Sequence, residues 1–283
     1  MIKHVTRKSM IIRESGRSTD FISPSFGFGC LLNCSYCYMK RHTNDNSLSI
    51  AKNTEQIISS INDHVTWLPI KTSNQTDSDY WTYDISCNED FALHAKHHDW
   101  KFIFDFFKNH PKAKASFATK IIPKKFLEYN PKKKVRIRFS LMPQRVSSIL
   151  EPKTPLIIDR IKAINDFQKA GYDVHINFSP VVLYKGWVND YSELFKQVDE
   201  NVINKKGVLS EVIFLTHNEK KHHDNLDAKV PGEKLLWVPD SQEAKVSQYG
   251  GSNLRYKFKQ RYIDQFKSLH NEIIPWNTIR YIF

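Results

Sequence analysis

Residues 26–38 read FGFGCLLNCSYCY and place three of the four cysteines of the chain within eight positions, at Cys30, Cys34 and Cys37. Disulfide frameworks spread their cysteines along short secreted chains, whereas thiols this close together are typical of a metal ion or an iron–sulfur cluster. Three thiolates would leave one iron of a [4Fe–4S] cluster without a protein ligand. An open coordination position is typical of catalytic metal sites, so the spacing favours a catalytic cluster.

Zinc is the alternative occupant of this cysteine motif. A tetrahedral zinc site would need a fourth ligand, such as Cys87 or a histidine from the set His94, His97 and His98. Zinc sites usually pair two CxxC motifs, and this sequence contains one, so the cluster is favoured. The three histidines are otherwise expected on the surface, near the start of a helix.

The composition is that of a globular protein. Of 283 residues, 40% are hydrophobic and 25% are charged, which excludes a disordered, collagen-like or membrane-embedded chain. No apolar run approaches the roughly 20 residues of a membrane helix, and the first residues lack the apolar segment of a secretory signal. We therefore expect a cytoplasmic protein with no membrane partner.

The net charge is +12, from 42 Lys and Arg residues against 30 Asp and Glu residues. This excess favours a polyanionic partner, with a solvated basic surface as the alternative. One basic stretch comprises Lys112, Lys114, Lys120, Lys124, Lys125, Lys132, Lys133, Lys134, Arg136 and Arg138. A second set interleaves basic and aromatic residues: Tyr249, Arg255, Tyr256, Lys257, Phe258, Lys259 and Arg261. Such a mixture suits a nucleic-acid strand with an unstacked base, so these residues favour nucleic acid as the partner.

Strand-like and helix-like segments alternate along the chain. Runs rich in Phe, Ile, Val and Tyr predict strands at 25–29, 80–86, 113–119, 135–141, 174–179 and 208–216. Apolar residues at helical spacing predict helices at 55–64, 99–109, 155–170, 191–202 and 260–274. The first strand leads directly into the cysteine motif, which places that motif on a β–α loop.

Strands that are followed by helices favour right-handed crossovers and a parallel sheet. Six units are too few for a closed eight-fold barrel. We therefore predict an α/β fold, a partial (β/α)6 TIM-like barrel with parallel strands and an extra C-terminal helix and strand. Residues 68–79 are expected to form a surface loop, and residues 217–253 to cover one end of the barrel.

The CxxxCxxC motif with an aromatic residue before its last cysteine resembles the radical S-adenosylmethionine (SAM) superfamily. Further segments resemble the spore photoproduct lyase family, often called DNA repair photolyase-like proteins, and together they cover the chain nearly end to end. They read GCLLNCSYCY, YDISCNED, SFATK, VRIRFSLMPQR, AGYDVHINFSPVVLYKGWVNDYSELF, SEVIFLTHN and IRYIF.

The resemblance implies a [4Fe–4S] cluster on Cys30, Cys34 and Cys37, with SAM on the open iron. An external electron donor of the flavodoxin or ferredoxin type would reduce the cluster, and a 5′-deoxyadenosyl radical would start the repair of a thymine-dimer-type DNA lesion. It also implies one radical SAM domain over residues 1–283, with a core at about 22–216 and a covering segment at 217–283. The protein is expected to be a monomer.

The resemblance also assigns roles to single residues. Cys87 matches the thiol that returns a hydrogen atom to the substrate radical, although a lone cysteine is more often structural. Tyr36 and Tyr38 match a tyrosine pair that contacts SAM and takes part in the reaction. They would otherwise be aromatic residues that pack on the cysteine loop.

Three further residues follow or end predicted strands, where loop-built active sites of such folds lie. Lys120 and Ser140 match residues that contact SAM, and Ser179 matches a position where the backbone contacts the nucleoside. Glu89 stands where the family has a SAM-contacting serine, so we take it as a candidate cofactor residue that departs from the family pattern.

Two other functions remain open at this point. One is a radical SAM reaction on RNA, a free nucleotide or a peptide. The other is a nucleic-acid-binding protein in which the metal cluster is structural.

Overall fold

The computed structural model describes residues 2–41, 47–238, 241–246 and 252–283. The strands of these residues, numbered in chain order, are β1 Ile2–Val5, β2 Arg13–Glu14, β3 Phe21–Ile22, β4 Gly27–Phe28, β5 Leu48–Ala51, β6 Trp81–Asp84, β7 Ala113–Thr119, β8 Val135–Ser140, β9 Asp173–Val181, β10 Leu209–Phe214, β11 His217–Asn218, β12 Gln242–Val246, β13 Ser252–Tyr256 and β14 Thr278–Ile282.

The same described residues form nine α-helices, of which five lie within four positions of a predicted segment at each end and four were not predicted. They are α1 Thr54–Trp67, α2 Phe91–His94, α3 Trp100–Asn109, α4 Gln144–Leu150, α5 Ile157–Lys169, α6 Trp187–Asn201, α7 Glu219–Asp227, α8 Glu233–Leu236 and α9 Lys259–Ile273.

The main sheet is curled and forms a half-barrel. Its eight strands run in the order β2-β3-β6-β7-β8-β9-β10-β14, and every neighbouring pair is parallel except β2 with β3. The predicted α/β class and partial barrel are therefore confirmed. The extra C-terminal helix and strand are α9 and β14, and β14 extends the parallel sheet next to β10.

One predicted strand does not belong to the half-barrel. Residues 25–29 contain only β4, which pairs antiparallel with β5 in a separate three-stranded sheet. The first parallel strand of the half-barrel is instead β3, which pairs with β6. Strand β3 has only two residues, too few to show the alternating pattern of a strand. The Phe-Gly-Phe-Gly sequence at 26–29 does alternate, so it predicts the first strand of the barrel instead. The cysteine motif therefore lies between β4 and β5 of the small sheet, not on the predicted β–α loop of the half-barrel.

The outer face of the half-barrel is hydrophobic and is covered by helices. Helix α3 begins after Asp99, whose side chain accepts a hydrogen bond from the backbone N–H of Phe102 at 3.3 Å. The helix buries Phe104 and Phe107 completely, and the ring of Phe104 stacks on Phe117 of β7 with centroids 6.2 Å apart. Apolar burial thus holds the helix layer to the sheet, and it leaves the strand ends free to build a site.

The inner side of the half-barrel is charged instead. Arg138 of β8 is buried and reaches Asp84 of β6 at 2.7 Å and Glu211 of β10 at 3.1 Å. Glu211 also pairs with Arg280 of β14. Four strands are therefore joined by ion pairs that are shielded from water.

This arrangement corrects the expectation that the basic stretch from Lys112 to Arg138 serves as a whole to bind a polyanionic partner. Arg136 and Lys114 are buried and share the carboxylates of Asp77 and Asp173, with four contacts between 2.6 and 2.8 Å. Lys134 is buried as well, and its ammonium lies 3.4 Å from the ring centroid of Tyr80. Arg136 and Lys114 are neutralised by carboxylates inside the protein and Lys134 is buried, so the stretch does not present one face to a phosphate backbone.

The other parts of that basic stretch lie at different ends of the sheet. Lys132 and Lys133 form the turn that enters β8, at the amino ends of the strands, whereas Lys120 follows β7 at the carboxyl ends. The 68–79 segment is irregular as expected, but it is not only a surface loop. Its Asp77 side chain is buried and closes the amino end of the half-barrel.

The C-terminal segment adds α7, α8 and the antiparallel sheet β11-β13-β12. In the second basic and aromatic set, Tyr256 is buried and its hydroxyl accepts a hydrogen bond from the backbone N–H of Leu183 at 3.0 Å. Phe258 is exposed, and Tyr249 lies outside the described residues. None of the helices in the described ranges has the length and apolar character to cross a membrane.

The buried histidine of β9 predicts a pH dependence of stability. Burial lowers the pKa of His175 to about 4, although Asp173 opposes the shift. An unfolded histidine titrates near pH 6.5, so between about pH 4 and 6.5 the unfolded chain binds a proton that the folded chain does not. The free energy of unfolding should therefore fall as the pH falls through this window, by up to about 1.4 kcal/mol per pH unit from this group.

Denaturant unfolding at a series of pH values measures this slope. His175→Gln should flatten it, whereas the exposed control His223→Gln should keep it. Equal slopes in the wild type and His175→Gln would contradict the buried, neutral histidine.

Candidate active site

A cavity of about 370 Å³ opens at the carboxyl ends of the central strands. Its walls are formed by the cysteine loop on one side and by the ends of β6, β7, β8 and β9 on the other. All ten residues that the sequence predicts for the site contribute to its lining: Cys30, Cys34, Tyr36, Cys37, Tyr38, Cys87, Glu89, Lys120, Ser140 and Ser179.

Backbone contacts fix the cysteine loop over the sheet. Asn33 adopts a left-handed conformation with φ of 58°, and the N–H of Cys37 bonds the carbonyl of Cys34 at 3.0 Å. The N–H of Ser35 bonds the carbonyl of Leu150 at 2.8 Å, at the end of α4. A tight turn thus brings three thiols to one side of the loop.

The donor set fits an iron–sulfur cluster. Burial raises the pKa of both Cys30 and Cys34 to about 12, so these thiols keep their protons until a metal replaces them. Among the described residues, no set that includes Cys30, Cys34 or Cys37 gathers three ligand atoms within 4.8 Å, as a single ion requires. Three soft sulfur donors set further apart suit a multi-iron group better than one zinc ion.

A buried carboxylate that the sequence analysis did not identify lies behind the cysteine loop. Glu151 accepts a hydrogen bond from the Tyr36 hydroxyl and one from the guanidinium of Arg160 at 2.9 Å. Arg160 also donates to the carbonyl of Ser140 at 2.9 Å. Burial, followed by the charge of Glu151, raises the pKa of Tyr36, so the phenol stays protonated and its donor role is fixed.

Lys120 is the cation of the cavity wall. Its Nζ lies 3.9 Å from Glu151 and 5.7 Å from the ring centroid of Tyr36. Burial opposes the charge, but the carboxylate of Glu151 outweighs it and raises the pKa of Lys120. The backbone N–H of Lys120 donates to Asp90 at 3.0 Å, which also accepts from the Thr119 hydroxyl at 2.8 Å. The lysine is therefore held in place and positively charged at neutral pH.

Cys87 also lines the cavity, just after β6, the strand next to β7. Its Sγ accepts a hydrogen bond from Arg13 at 3.4 Å, and the neighbouring Asn88 accepts one from the Tyr38 hydroxyl at 3.0 Å. Burial, followed by the charge of Asp84, raises the pKa of Cys87 despite Arg13. The cysteine therefore presents a protonated S–H group to the cavity.

Two strand ends close the floor of the cavity. Ser140 ends β8, and its hydroxyl accepts a hydrogen bond from the amide of Asn177 at 3.3 Å. The Oδ1 atom of Asn177 is buried and finds no hydrogen-bond partner among the described residues. Asn177 and Ser179 both line the cavity, so the floor offers polar groups to a bound molecule.

Glu89 and two of the nearby histidines differ from expectation. His94 and His98 are buried, not on the surface, because Nδ1 of His94 and Nε2 of His98 lie 3.2 Å and 2.9 Å from Glu89 Oε2. The Glu89 side chain has no exposed surface, and its Oε1 has no partner within the described part of the chain. The backbone of Glu89 therefore reaches the cavity wall while the carboxylate faces the histidine pair.

Sequence reasoning did not identify several residues whose side chains make polar contacts in or beside the cavity. Glu151, Asp90 and Asn177 carry polar contacts of the site, and Arg13 contacts Cys87. Asp90 could have been found from the sequence, because it is the aspartate of a CxxD pattern that begins at Cys87. The contact between Glu151 and Tyr36 joins positions 115 residues apart, and no local pattern reveals it.

Comparisons with known proteins place this geometry in a family. The family model "Spore photoproduct lyase" matches residues 3–283. Spore photoproduct lyase of Bacillus subtilis (strain 168) is 26% identical over 196 residues, which are 68% of this chain and 55% of that protein. Spore photoproduct lyase of Clostridium acetobutylicum is 23% identical over 264 residues, which are 90% of this chain and 74% of that protein.

Solved structures agree with the fold. A spore photoproduct lyase variant with dinucleoside spore photoproduct has a TM-score of 0.87 and 18% identity, and the match covers 100% of this chain and 82% of that one. A second variant, with bound AdoMet and dinucleoside spore photoproduct, has a TM-score of 0.87 and 17% identity with the same coverage.

This chain belongs to the spore photoproduct lyase family, because the family model spans nearly all of it. The match to the Bacillus protein spans only about half of that protein's length.

The close approach of Gly27, just before the cysteine motif, to Glu89 predicts that one added methyl group at Gly27 lowers stability. A Cβ on Gly27 would overlap the buried carboxylate of Glu89. Gly27→Ala should therefore lower the free energy of unfolding by about 1–3 kcal/mol through overpacking. Denaturant unfolding of Gly27→Ala, Glu89→Ala and the double variant measures this cost. The double variant should be clearly more stable than the sum of the single effects predicts, and strict additivity would contradict the contact.

Proposed function

We propose that this protein is a radical SAM lyase that repairs a thymine-dimer-type lesion in DNA. One observation carries the proposal: the three cysteine thiols of the motif and the separate thiol of Cys87 open onto the same cavity. A cluster site alone would serve many reactions. A hydrogen-atom donor facing that site suits a reaction that must return hydrogen to a substrate radical.

Cys30, Cys34 and Cys37 would hold a [4Fe–4S] cluster, and SAM would occupy the cavity beside it. When bound to a reduced cluster, SAM supplies a 5′-deoxyadenosyl radical. The charged Lys120 would attract the SAM carboxylate, and Tyr36, fixed by Glu151, would pack against the adenine. Membership of the family and the AdoMet bound to a family structure support this cofactor.

Cys87 would donate a hydrogen atom to the thymine radical after the lesion is opened. A thiol can do so only while it keeps its S–H bond, and the raised pKa of Cys87 favours that form. Tyr38 would act beside it, because its hydroxyl is held by Asn88, next to Cys87 in the chain. Ser140 and Ser179 would line the floor, and Glu89 would contribute only through its backbone.

The wider organisation is part of the same proposal. Residues 1–283 would form one radical SAM domain, with the core at about 22–216 and residues 217–283 as its cover. The protein would act as a cytoplasmic monomer on DNA and receive electrons from a flavodoxin- or ferredoxin-type donor. The dinucleoside spore photoproduct bound to family structures supports the choice of lesion.

The proposal is tested by anaerobic reconstitution with iron and sulfide, followed by reaction with SAM and dinucleoside spore photoproduct. We expect about four irons per chain, cleavage of SAM and recovery of two thymidine units. A matched Cys30→Ala variant should lose the iron and both products. SAM cleavage without lesion repair would redirect the proposal to another substrate, and an active, zinc-loaded, iron-free protein would refute it.

Replacement of Cys87 should separate radical formation from product formation. Cys87→Ala should keep its iron and still cleave SAM, because the cluster ligands are other residues. It should lose the clean return of hydrogen, so the substrate radical is trapped by reductant or solvent-borne donors and the product mixture shifts. Chromatography of matched wild-type and variant reactions, beside their melting curves, measures this. Identical product ratios with a lowered melting temperature would show that Cys87 is structural.

A further inference from the structure

A second group of ligating side chains lies outside the cavity, in the C-terminal segment. His217, His222 and Glu233 each contribute one ligand atom, and the three atoms lie within 4.8 Å of one another. His217 Nε2 is 2.8 Å and His222 Nδ1 is 2.7 Å from the same carboxylate oxygen, Glu233 Oε1. The proposed reaction uses none of these residues.

We propose that His217, His222 and Glu233 bind one divalent transition-metal ion of the zinc class. Two imidazole nitrogens and one carboxylate oxygen are a common ligand set for Zn²⁺, with a fourth position open to water. Tetrahedral bonds of about 2.0–2.1 Å would separate the ligand atoms by roughly 3.4 Å. Each nitrogen–oxygen distance would then lengthen by roughly half an ångström, which side-chain rotation alone can supply.

The surroundings of the three ligands are already ordered. His217 and Glu233 are buried, and the Glu233 Oε2 atom accepts a hydrogen bond from Asn225 at 2.6 Å. The ring of Trp237 stacks on His222 with centroids 4.3 Å apart and an interplanar angle of 13°. Such outer contacts orient ligating groups and commonly accompany metal sites.

The ligands come from three different elements. His217 lies on β11, His222 on α7 and Glu233 at the start of α8. One ion would therefore cross-link three short elements that share little apolar core. Metal binding would add its free energy to the folded state of the segment.

The proposed ion would also support the back of the cysteine loop. Asn225, which holds Glu233, also donates to the carbonyl of Ser35 at 3.3 Å. The Ser35 hydroxyl donates to the carbonyl of Pro231 at 2.8 Å. Ser35 stands between Cys34 and Tyr36, so the segment that the ion would stiffen is the one that packs against the cluster-binding loop.

The test uses the full chain with its cluster assembled under anaerobic conditions. Zn²⁺ is added, excess metal is removed by desalting, and iron and zinc are counted by elemental analysis. We expect one zinc per chain with the iron content unchanged, and a higher melting temperature with Zn²⁺ than without it. Zinc that displaced iron from the cysteine motif would lower the iron count, and this result would overturn the proposal.

Variants assign the zinc to this site. His222→Phe keeps an aromatic ring on Trp237, and Glu233→Gln keeps the size of the side chain. Both should weaken zinc binding by at least about tenfold and lose the zinc-dependent rise in melting temperature. His223→Ala changes the neighbouring exposed histidine and should behave as wild type.

Two outcomes would show that the group is only a hydrogen-bonded cluster. One is the absence of retained zinc in the wild type, and the other is equal zinc content in His222→Phe and His223→Ala. The readouts are metal content and melting temperature, so failure here is separate from failure of lesion repair.

Discussion

The arrangement of the cavity depends on the buried carboxylate of Glu151. It accepts the Tyr36 hydroxyl, pairs with Arg160 at 2.9 Å and lies 3.9 Å from Lys120. Through Arg160 it is tied to the carbonyl of Ser140 at the end of β8. Loss of one partner of a buried pair costs about 3–5 kcal/mol, so the cysteine loop, the lysine and the strand end hold one another in place.

A similar principle organises the rest of the half-barrel. Aromatic and aliphatic side chains hold the helices to its outer face, while its inner face is bridged by Arg138, Asp84 and Glu211. Ion pairs of this kind contribute little net stability compared with apolar packing, and here they link the side chains of β6, β8 and β10. These ion pairs also lie close to the floor of the cavity, because Ser140 is two positions after Arg138 on β8.

The sequence predicted the long strands better than the short ones. Residues 113–119 form β7 as expected, because seven residues carry a clear pattern. The two-residue strand β3 has no pattern of its own, and it forms because β6 offers it a parallel edge. The prediction for the basic stretch was wrong for a related reason. The acidic partners of Arg136, Asp77 and Asp173, lie far from it in the sequence. Charge counted along a chain does not show which cations are neutralised.

The candidate site was predictable where its residues belong to local motifs or strand ends. Cys87, Lys120 and Ser140 follow or end strands, so a parallel sheet must bring them to one edge. Residues that reach the site from distant parts of the sequence, such as Glu151, were not predicted. A hydrogen bond between residues far apart in the sequence produces no recognisable sequence pattern. The burial of His94 and His98 was missed likewise, since it depends on one carboxylate, that of Glu89.

The most direct test of this account is a crystal structure of the cluster-loaded protein with SAM and dinucleoside spore photoproduct. The account predicts SAM in contact with the cluster and with the side chains of Lys120 and Tyr36, and the lesion beside the Cys87 thiol. It also predicts that Glu151 keeps its contacts with Tyr36 and Arg160. A lesion bound outside the cavity, or SAM that leaves Lys120 without a contact, would contradict it.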